Sequence, residues 1–334
     1  MLVTSMTMPD VQSLARKSFV KGMHRPAGDV RRIFHRESCS WDTASKRITE
    51  VDRERYASVK TEGQDSKSRR VAQGYSKEIK RKTISVTRDL SGEAVKALTA
   101  HGLAKFSMNV AKDVVDRIEL DMANFIGFGD AASYTDMDGF TVDLTTGDGK
   151  SLFNTAHTLK NSSTTYSNII TGAPSFSESA METAEDYFNY NVLDNFGQRV
   201  TMNPNAIITS RKASVKNRVK RLLNSTAPEA IEGTANANSG VTNTYKESYQ
   251  HLVVDFDVDA KGVTNSAKSF YWMLAALGED PETSFQGYYV SWMSPQTAPV
   301  EINQRKWTLS QTARSAYGIG ALSGRGIAIA KATS

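Results

Sequence analysis

The 334-residue chain predicts a protein of mixed α and β character, and three observations carry that reading. A stripe of apolar residues recurs at helical spacing between residues 103 and 125. Short β-branched and aromatic runs crowd the C-terminal third. Ahead of both lies a long polar segment with the pattern of a β-hairpin. The length fits one large domain or two ordinary ones. The apolar share, 39%, is low for a compact globule, so part of the chain should lie outside any core.

From the N-terminus, residues 1–45 lack sustained periodicity and read as an extended arm. Val11, Leu14, Ala15 and Phe19 allow one or two amphipathic turns. Phe34 and Trp41 stand as aromatic anchors among Arg25, Arg31, Arg32 and Arg36. Next, KRITEVDRERYASVK (46–60) and RRVAQGYSKEIKRKTISVT (69–87) flank the turn-rich TEGQDSKS, which is a hairpin signal. Each limb would run roughly 50 Å at about 3.3 Å per residue. Both limbs are too polar to cover a core, and a lone two-stranded ribbon is marginal in water. A neighbouring copy of the chain is the expected bed.

Residues 91–126 predict helix. Ser91 can cap the first turn, and a break is expected at His101–Gly102 because glycine costs about 1 kcal/mol in a helix interior. Beyond the break, Leu103, Phe106, Val110, Val114, Ile118, Met122 and Phe125 line one face. Residues 127–176 read as loop with short strands. A second helix is expected over 177–196, capped by Ser177, with Ala180, Ala184, Tyr187, Phe188 and Val192 facing inward. AIITS (206–210) reads as a buried strand, 212–224 as a basic amphipathic helix, and 226–248 as loop with a mobile tip. HLVVDFDV, SFYWMLAAL, GYYVSWM, PVEINQ, KWTLSQTARSAYGIGAL and RGIAIAKA complete the strand-rich end.

Charge is segregated. Residues 1–90 hold 20 Lys and Arg against 11 Asp and Glu, whereas 91–334 hold 21 against 25. A basic N-terminal quarter precedes a mildly acidic body. Such segments either stay solvated or find a polyanion or an acidic protein surface.

The chemistry-bearing residues form no convincing constellation. The five histidines (24, 35, 101, 157 and 251) have no metal-site spacing. An Asp–His pair is conceivable at His157, but a loop histidine bonded to backbone is favoured. Cys39 is the single cysteine, which rules out an internal disulfide and a multi-cysteine zinc site. It is not expected to be a catalytic thiol, and a reducing compartment is the simplest home. GFGD (127–130) follows a helix instead of opening one, so it reads as a helix stop, not a phosphate loop. Lys212, Lys216, Lys220 and Arg221 could contact phosphates, although a solvated face with Val215, Val219, Leu222 and Leu223 packed inward is preferred. No run of about 18 apolar residues suggests a membrane span, and no secretory leader is evident. No catalytic residue, cofactor or metal site is assigned, and the chain is not read as an enzyme.

Several segments, in chain order over roughly 46–334, resemble the major capsid (major head) proteins of tailed bacteriophages, and most closely the Mu-type head subunit group. YSKEIKRKTISVTRDL (75–90) is similar to the end of that family's extended loop and the lead into its spine helix. DVVDRIELDMANFI (113–126) resembles the end of the spine helix, and DGKSLFNTAH (148–157) is the most specific match to the Mu-type pattern. NPNAIITSRKASVKNRVKRLLNS (203–225) resembles the family's strand–helix passage. LVVDFDV, SFYWMLAAL, APVEI and QTARSAYGIGALSGRGIAI resemble its later strands. The passage ITSRKAS, where the family usually has prolines, and Ser315 depart from the pattern.

The resemblance implies an α+β, tailed-phage and herpesvirus-type major capsid fold. Its parts would be an N-terminal arm (1–45), an extended β-hairpin loop (46–88), a peripheral domain with a long spine helix (89–175 and 300–334) and an axial domain (176–299). It implies self-assembly into hexamers and pentamers of an icosahedral head around double-stranded DNA, in the virion, assembled in the host cytoplasm. Arg53, Arg55, Lys67, Arg69, Arg70, Lys80 and Lys82 would face acidic patches on the next subunit. Arg16, Lys17, Arg25, Arg31 and Arg32 would offset DNA charge. A portal and a separate scaffolding protein are expected partners, the latter because only about 45 residues precede the hairpin, and a decoration protein is admitted. A lysine–asparagine cross-link is not expected. The competing readings are an encapsulin-like nanocompartment shell and a nucleic-acid-binding protein that uses the basic arm.

Overall fold

The computed structural model describes residues 6–24, 28–226, 243–280, 282–303 and 308–333. Arg25, one of the expected DNA-facing residues, and most of the expected mobile tip within 226–248 lie outside them.

The chain opens with α1 (Met8–Met23), not with an extended arm. Val11, Ala15, Ser18, Phe19 and Gly22 form its buried face, which lies against the long helix α3 introduced below. The small members of that face, Ser18 and Gly22, hid the stripe from a reading based on large apolar residues. They also let the helices approach closely: a Cβ at Gly22 would stand 2.8 Å from the Met108 carbonyl oxygen. A single 3₁₀ turn (Asp29–Arg32) leads into β1 (His35–Ser38), which pairs in parallel with β12 (Gly287–Thr297). The described part of the expected arm is thus built into the body. Phe34 is buried edge-on between Phe125 and Phe285, at 5.9 and 6.4 Å.

β2 (Ser45–Arg53) and β3 (Val71–Lys80) form the expected ribbon, shorter than the sequence suggested. β4 (Lys82–Ser91) continues from it but leaves the ribbon to pair with β14 (Thr308–Ala321) over ten positions. Then come α2 (Gly92–Ala97), capped by Ser91, and α3 (Ala100–Gly127). The break between them falls at Leu98–Thr99, ahead of the expected His101–Gly102. The Thr99 hydroxyl accepts from the Gly102 amide at 3.1 Å, which makes glycine part of the first turn. α3 ends at Gly127, as the GFGD signal predicts.

Two small hairpins follow, β5 (Ser133–Thr135) with β6 (Thr141–Asp143) and β7 (His157–Leu159) with β8 (Ser162–Tyr166). α4 (Glu178–Asp186), capped by Ser177, runs into a π-helical turn over Tyr187–Asn191. β9 (Ala206–Thr209), α5 (Ala213–Asn224), β10 (Gln250–Val253), β11 (Trp272–Ala275), β13 (Glu301–Asn303) and β15 (Ile327–Ala330) complete the chain.

The strands form two main sheets. In the larger, β14 is central, with β12 and β13 along one side, β4 along the other, and β1 outside β12. The smaller has the order β10-β9-β11-β15. β9, β11 and β15 are buried on both faces, the pattern of strands covered twice, whereas β10 at the edge buries only Leu252. Ala206, Ile208, Met273, Ala275, Ile327 and Ile329 join α3 in the principal core. Ile207, Trp272, Leu274, Ala328 and Ala330 face a second core built with α4 and α5. Sheet membership cuts across the expected domain boundary at 299/300. β12, expected in the axial part, belongs to the larger sheet, and β15, expected in the peripheral part, belongs to the smaller.

Candidate intersubunit surface

The ribbon is two-faced, and strand alternation sets the faces. In β2 the even-numbered residues point inward and the odd-numbered ones outward. In β3 an extra residue opposite Glu50 bulges the strand and switches the inward set from Ala72 and Gly74 to Tyr75, Lys77 and Ile79.

The inward face rests on its own chain. Ile79 is buried beside Tyr288, Val290 and Trp292. Lys77 Nζ reaches Asp143 at 2.6 Å and Thr145 at 2.8 Å. Tyr75 meets Thr158 at 3.2 Å, and Lys160 Nζ donates to the Gly74 carbonyl at 2.7 Å. Glu50 and Arg325 pair at 2.8 Å with side chains 8% and 7% exposed. Asn195 donates its amide to both Glu50 and Asp52. Burial, and then Glu50, push the Asp52 carboxyl above its ordinary range. The expectation that only a neighbouring copy could support the ribbon is therefore corrected for its paired half. The bed exists in the parent body, but it is polar, so hydrophobic patterning did not reveal it.

The distal part is different. Residues 56–71, apart from half-buried Ser58, are exposed. They carry no strand pairing until Val71. Gly63 takes φ +80° in a turn closed by Gln64 N donating to the Thr61 carbonyl. Four large apolar side chains stand in solvent on the ribbon's outer face and tip: Val51 (65%), Tyr56 (71%), Val59 (92%) and Val71 (72%). Val51 and Val71 are on one face, because Arg53 pairs with Val71 and Val51 with Gln73.

The seven expected contact residues divide accordingly. Arg53, Lys67, Arg70 and Lys80 are exposed, and among the described residues their side chains pair with no carboxylate, although the Arg70 amide donates to Glu54 at 3.3 Å. Arg69, 41% exposed, lies 3.7 Å from Glu54. Arg55 is turned inward, 3.3 Å from Asp194, with its amide bonded to Gln198. Lys82 is a correction: its side chain is 10% exposed and bridges Asp121, at 2.7 Å, and Asp136. Arg117 completes that cluster at 3.1 Å from Asp121 and 2.9 Å from Asp136. Burial opposes ionisation of Asp136, but Lys82 and the Phe140 and Asp138 amides hold its carboxyl below the ordinary range. Lys82 fastens β4 to the spine helix of its own chain.

Of the expected DNA-facing residues, Arg16 and Lys17 are exposed on α1. Arg31 is mostly buried against Glu119 at 3.0 Å. Arg32 is half exposed, 3.9 Å from Asp29.

His157 is fully buried. Nδ1 sits 2.9 Å from Asp148, Nε2 3.3 Å from the Leu152 carbonyl, and the ring stacks on Tyr166 at 4.9 Å. The Asp–His pair, the less favoured sequence reading, is present, walled in by the fold. Among the described residues no group of three His, Cys, Asp or Glu side chains is placed to hold a metal ion. No described helix is long and apolar enough to cross a membrane.

No family model matches the chain, and no curated protein matches it. Solved structures do. The capsid structure of the cyanophage P-SCSP1u shares 10% identity over 91% of this chain and 88% of its own, with a TM-score of 0.53. The capsid of a native GTA particle shares 13% identity over 93% and 91%, with a TM-score of 0.51. The capsid of an empty GTA particle shares 12% over 93% and 91%, with a TM-score of 0.50. The chain has the α+β fold of these capsid subunits over nearly its whole length.

Proposed function

We propose that this chain is a major capsid protein that assembles into hexamers and pentamers of an icosahedral head enclosing double-stranded DNA. The observation that carries the proposal is the ribbon, on a fold shared with capsid subunits. The inward face of its base is fixed to the parent body, and its outer face and tip present Val51, Tyr56, Val59 and Val71 to solvent amid exposed cations. Exposed apolar residues grouped in this way mark a surface that another molecule covers. The copy next in the ring is that molecule. Arg53, Lys67, Arg69, Arg70 and Lys80 set the register of the contact, since such charges contribute specificity more than affinity. Head-to-tail contacts of this kind close into rings and then into a shell, and each can be modest because later contacts become intramolecular.

Within capsid proteins the Mu-type pattern is the one that DGKSLFNTAH (148–157) favours. On this reading the spine helix and larger sheet form the peripheral part, and the smaller sheet with α4 and α5 the axial part. The chain is structural, not catalytic. It works in the virion after assembly in the host cytoplasm, with a portal and a separate scaffolding protein as partners and room for a decoration protein. Negative-stain electron microscopy of protein expressed with its scaffold tests the proposal. Closed particles, or rings and sheets without the scaffold, are expected. A discrete monomer at high concentration with no particles under any condition overturns it, and small DNA-free shells would instead mark a nanocompartment.

A further inference from the structure

α5 violates the electrostatic rules that an ordinary solvated helix follows. Arg211, Lys212, Lys216, Arg218, Lys220 and Arg221 fall within eleven positions that contain no acidic residue. They sit in a body, residues 91–334, where acidic residues outnumber basic ones. Lys212–Lys216 and Lys216–Lys220 are like-charge pairs at i,i+4, which disfavour the helix. Arg211 and Lys212 stand at the helix N-terminus, where the macrodipole disfavours cations. The first turn has no acidic residue and no side-chain cap.

Val215, Val219, Leu222 and Leu223 bury one face in the second core. At about 100° per residue the cations spread around the other half, with Lys216 and Lys220 along one flank and Arg218 and Arg221 along the other. Arg211 meets Asp255, and Lys212 lies over the Phe270 ring at 4.9 Å. Among the described residues, Lys216, Arg218, Lys220 and Arg221 meet no carboxylate. The local potential is felt next door. His251 on β10 is held below its ordinary pKa by burial first, then by Lys220 and Lys216, with Asp29 opposing. Asp29 also lies beside Arg32 and within electrostatic reach of Arg211, so the 3₁₀ turn borders the same patch.

We propose that the outer face of α5, formed by Lys216, Arg218, Lys220 and Arg221, binds the phosphate backbone of duplex DNA without sequence preference. From Lys216 to Arg221 the helix rises about 7.5 Å, and a duplex carries one charge per about 1.7 Å of axis. The face is therefore long enough to meet about four phosphates at once. Cations on both flanks suit a broad polyanion that wraps past the helix better than a single acidic strand. The inference deepens the proposed function by naming where the enclosed DNA is touched, and it can fail while that function stands.

The test is the affinity of the unassembled full-length chain for a short fluorescent duplex, followed by anisotropy across a salt series. The slope of log affinity against log salt should fall by about 0.9 for each cation removed. It should drop by about 3 to 4 in the K216Q/R218Q/K220Q/R221Q variant and by about 2 in R218Q/R221Q. Glutamine keeps helix propensity, so circular dichroism should show both variants folded. Arg16→Gln with Lys17→Gln on α1 should leave most of the slope in place. An unchanged slope in the R218Q/R221Q protein overturns the inference, as does tighter binding of poly-glutamate than of duplex to the same face. Electron microscopy of the same variants keeps the shell proposal separate, because particles that form with an unchanged slope sink only the DNA surface.

Discussion

Glu50, on the ribbon, and Arg325, in the segment before the last strand, form a buried ion pair at 2.8 Å across 275 positions of sequence. A second bond, 3.4 Å, makes the guanidinium and carboxylate nearly bidentate. The pair ties the base of a projecting ribbon to the end of the chain. The exposed tip is thus presented from a fixed platform.

Removing one partner should expose that dependence. Arg325→Met leaves Glu50 buried without its counter-charge, and breaking a buried pair in this way costs about 3–5 kcal/mol. The double variant Glu50→Leu/Arg325→Met removes both charges and should recover most of the loss. Urea midpoints of the subunit measure both. A single variant as stable as the parent would mean that water, and not Arg325, satisfies Glu50.

Lys82 and Lys80 offer a comparison two residues apart. Lys82 is enclosed by Asp121 and Asp136, whereas Lys80 is exposed on the ribbon. Lys82→Ala should destabilise the subunit by about 3 kcal/mol or more, since two buried carboxylates lose a counter-charge and keep Arg117 as their one buried cation. Lys80→Ala should lie within about 0.5 kcal/mol of the parent, as surface substitutions do. Equal effects in chemical denaturation would contradict the intramolecular role assigned to Lys82.

The Asp148–His157 pair gives the fold an acid limb. Burial alone would raise the Asp148 carboxyl, yet the hydrogen bond from His157, that from Thr146 and the His157 charge bring it down to about 2. A depressed carboxyl contributes stability that is full above its unfolded value and is lost as pH falls through the folded one. The expected loss is about 2 kcal/mol between roughly pH 5 and pH 2. Asp148→Asn should be less stable at neutral pH and flatter across that window. Thermal unfolding followed against pH reads the difference, and parallel profiles for the two proteins would refute it.

What the sequence could announce was governed by pattern length and polarity. The α3 stripe, from Leu103 to Phe125, is long, and the two-sided apolar runs of β9, β11 and β15 are continuous. Both were legible. α1 was legible only as one or two amphipathic turns through Val11, Ala15 and Phe19, because Ser18 and Gly22 complete its buried face without adding hydrophobicity. The ribbon was legible as a hairpin, but its bed was not. Glu50, Asp52 and Lys77 find polar partners at Arg325, Asn195 and Asp143, and no local periodicity encodes pairs so distant in sequence. Lys82 was misplaced for a related reason. The strand that begins with it looks like more ribbon, and only the β14 pairing shows that the chain has entered the larger sheet.

The tip makes the sharpest demand on the assembly reading. Arg69 and Arg70 are followed by exposed Val71 and stand clear of the buried base. Reversing both to glutamate should leave the far-ultraviolet circular dichroism and the unfolding midpoint close to those of the parent, within about 0.5 kcal/mol. Particle yield by electron microscopy should fall severalfold, because charge that steers a neighbour now repels it. Val59→Asp, at a side chain 92% exposed in the lone subunit, should do the same through the apolar half of the contact. Undiminished particles from both variants would remove the ribbon tip from the contact. A subunit that unfolds would place the tip in its own core.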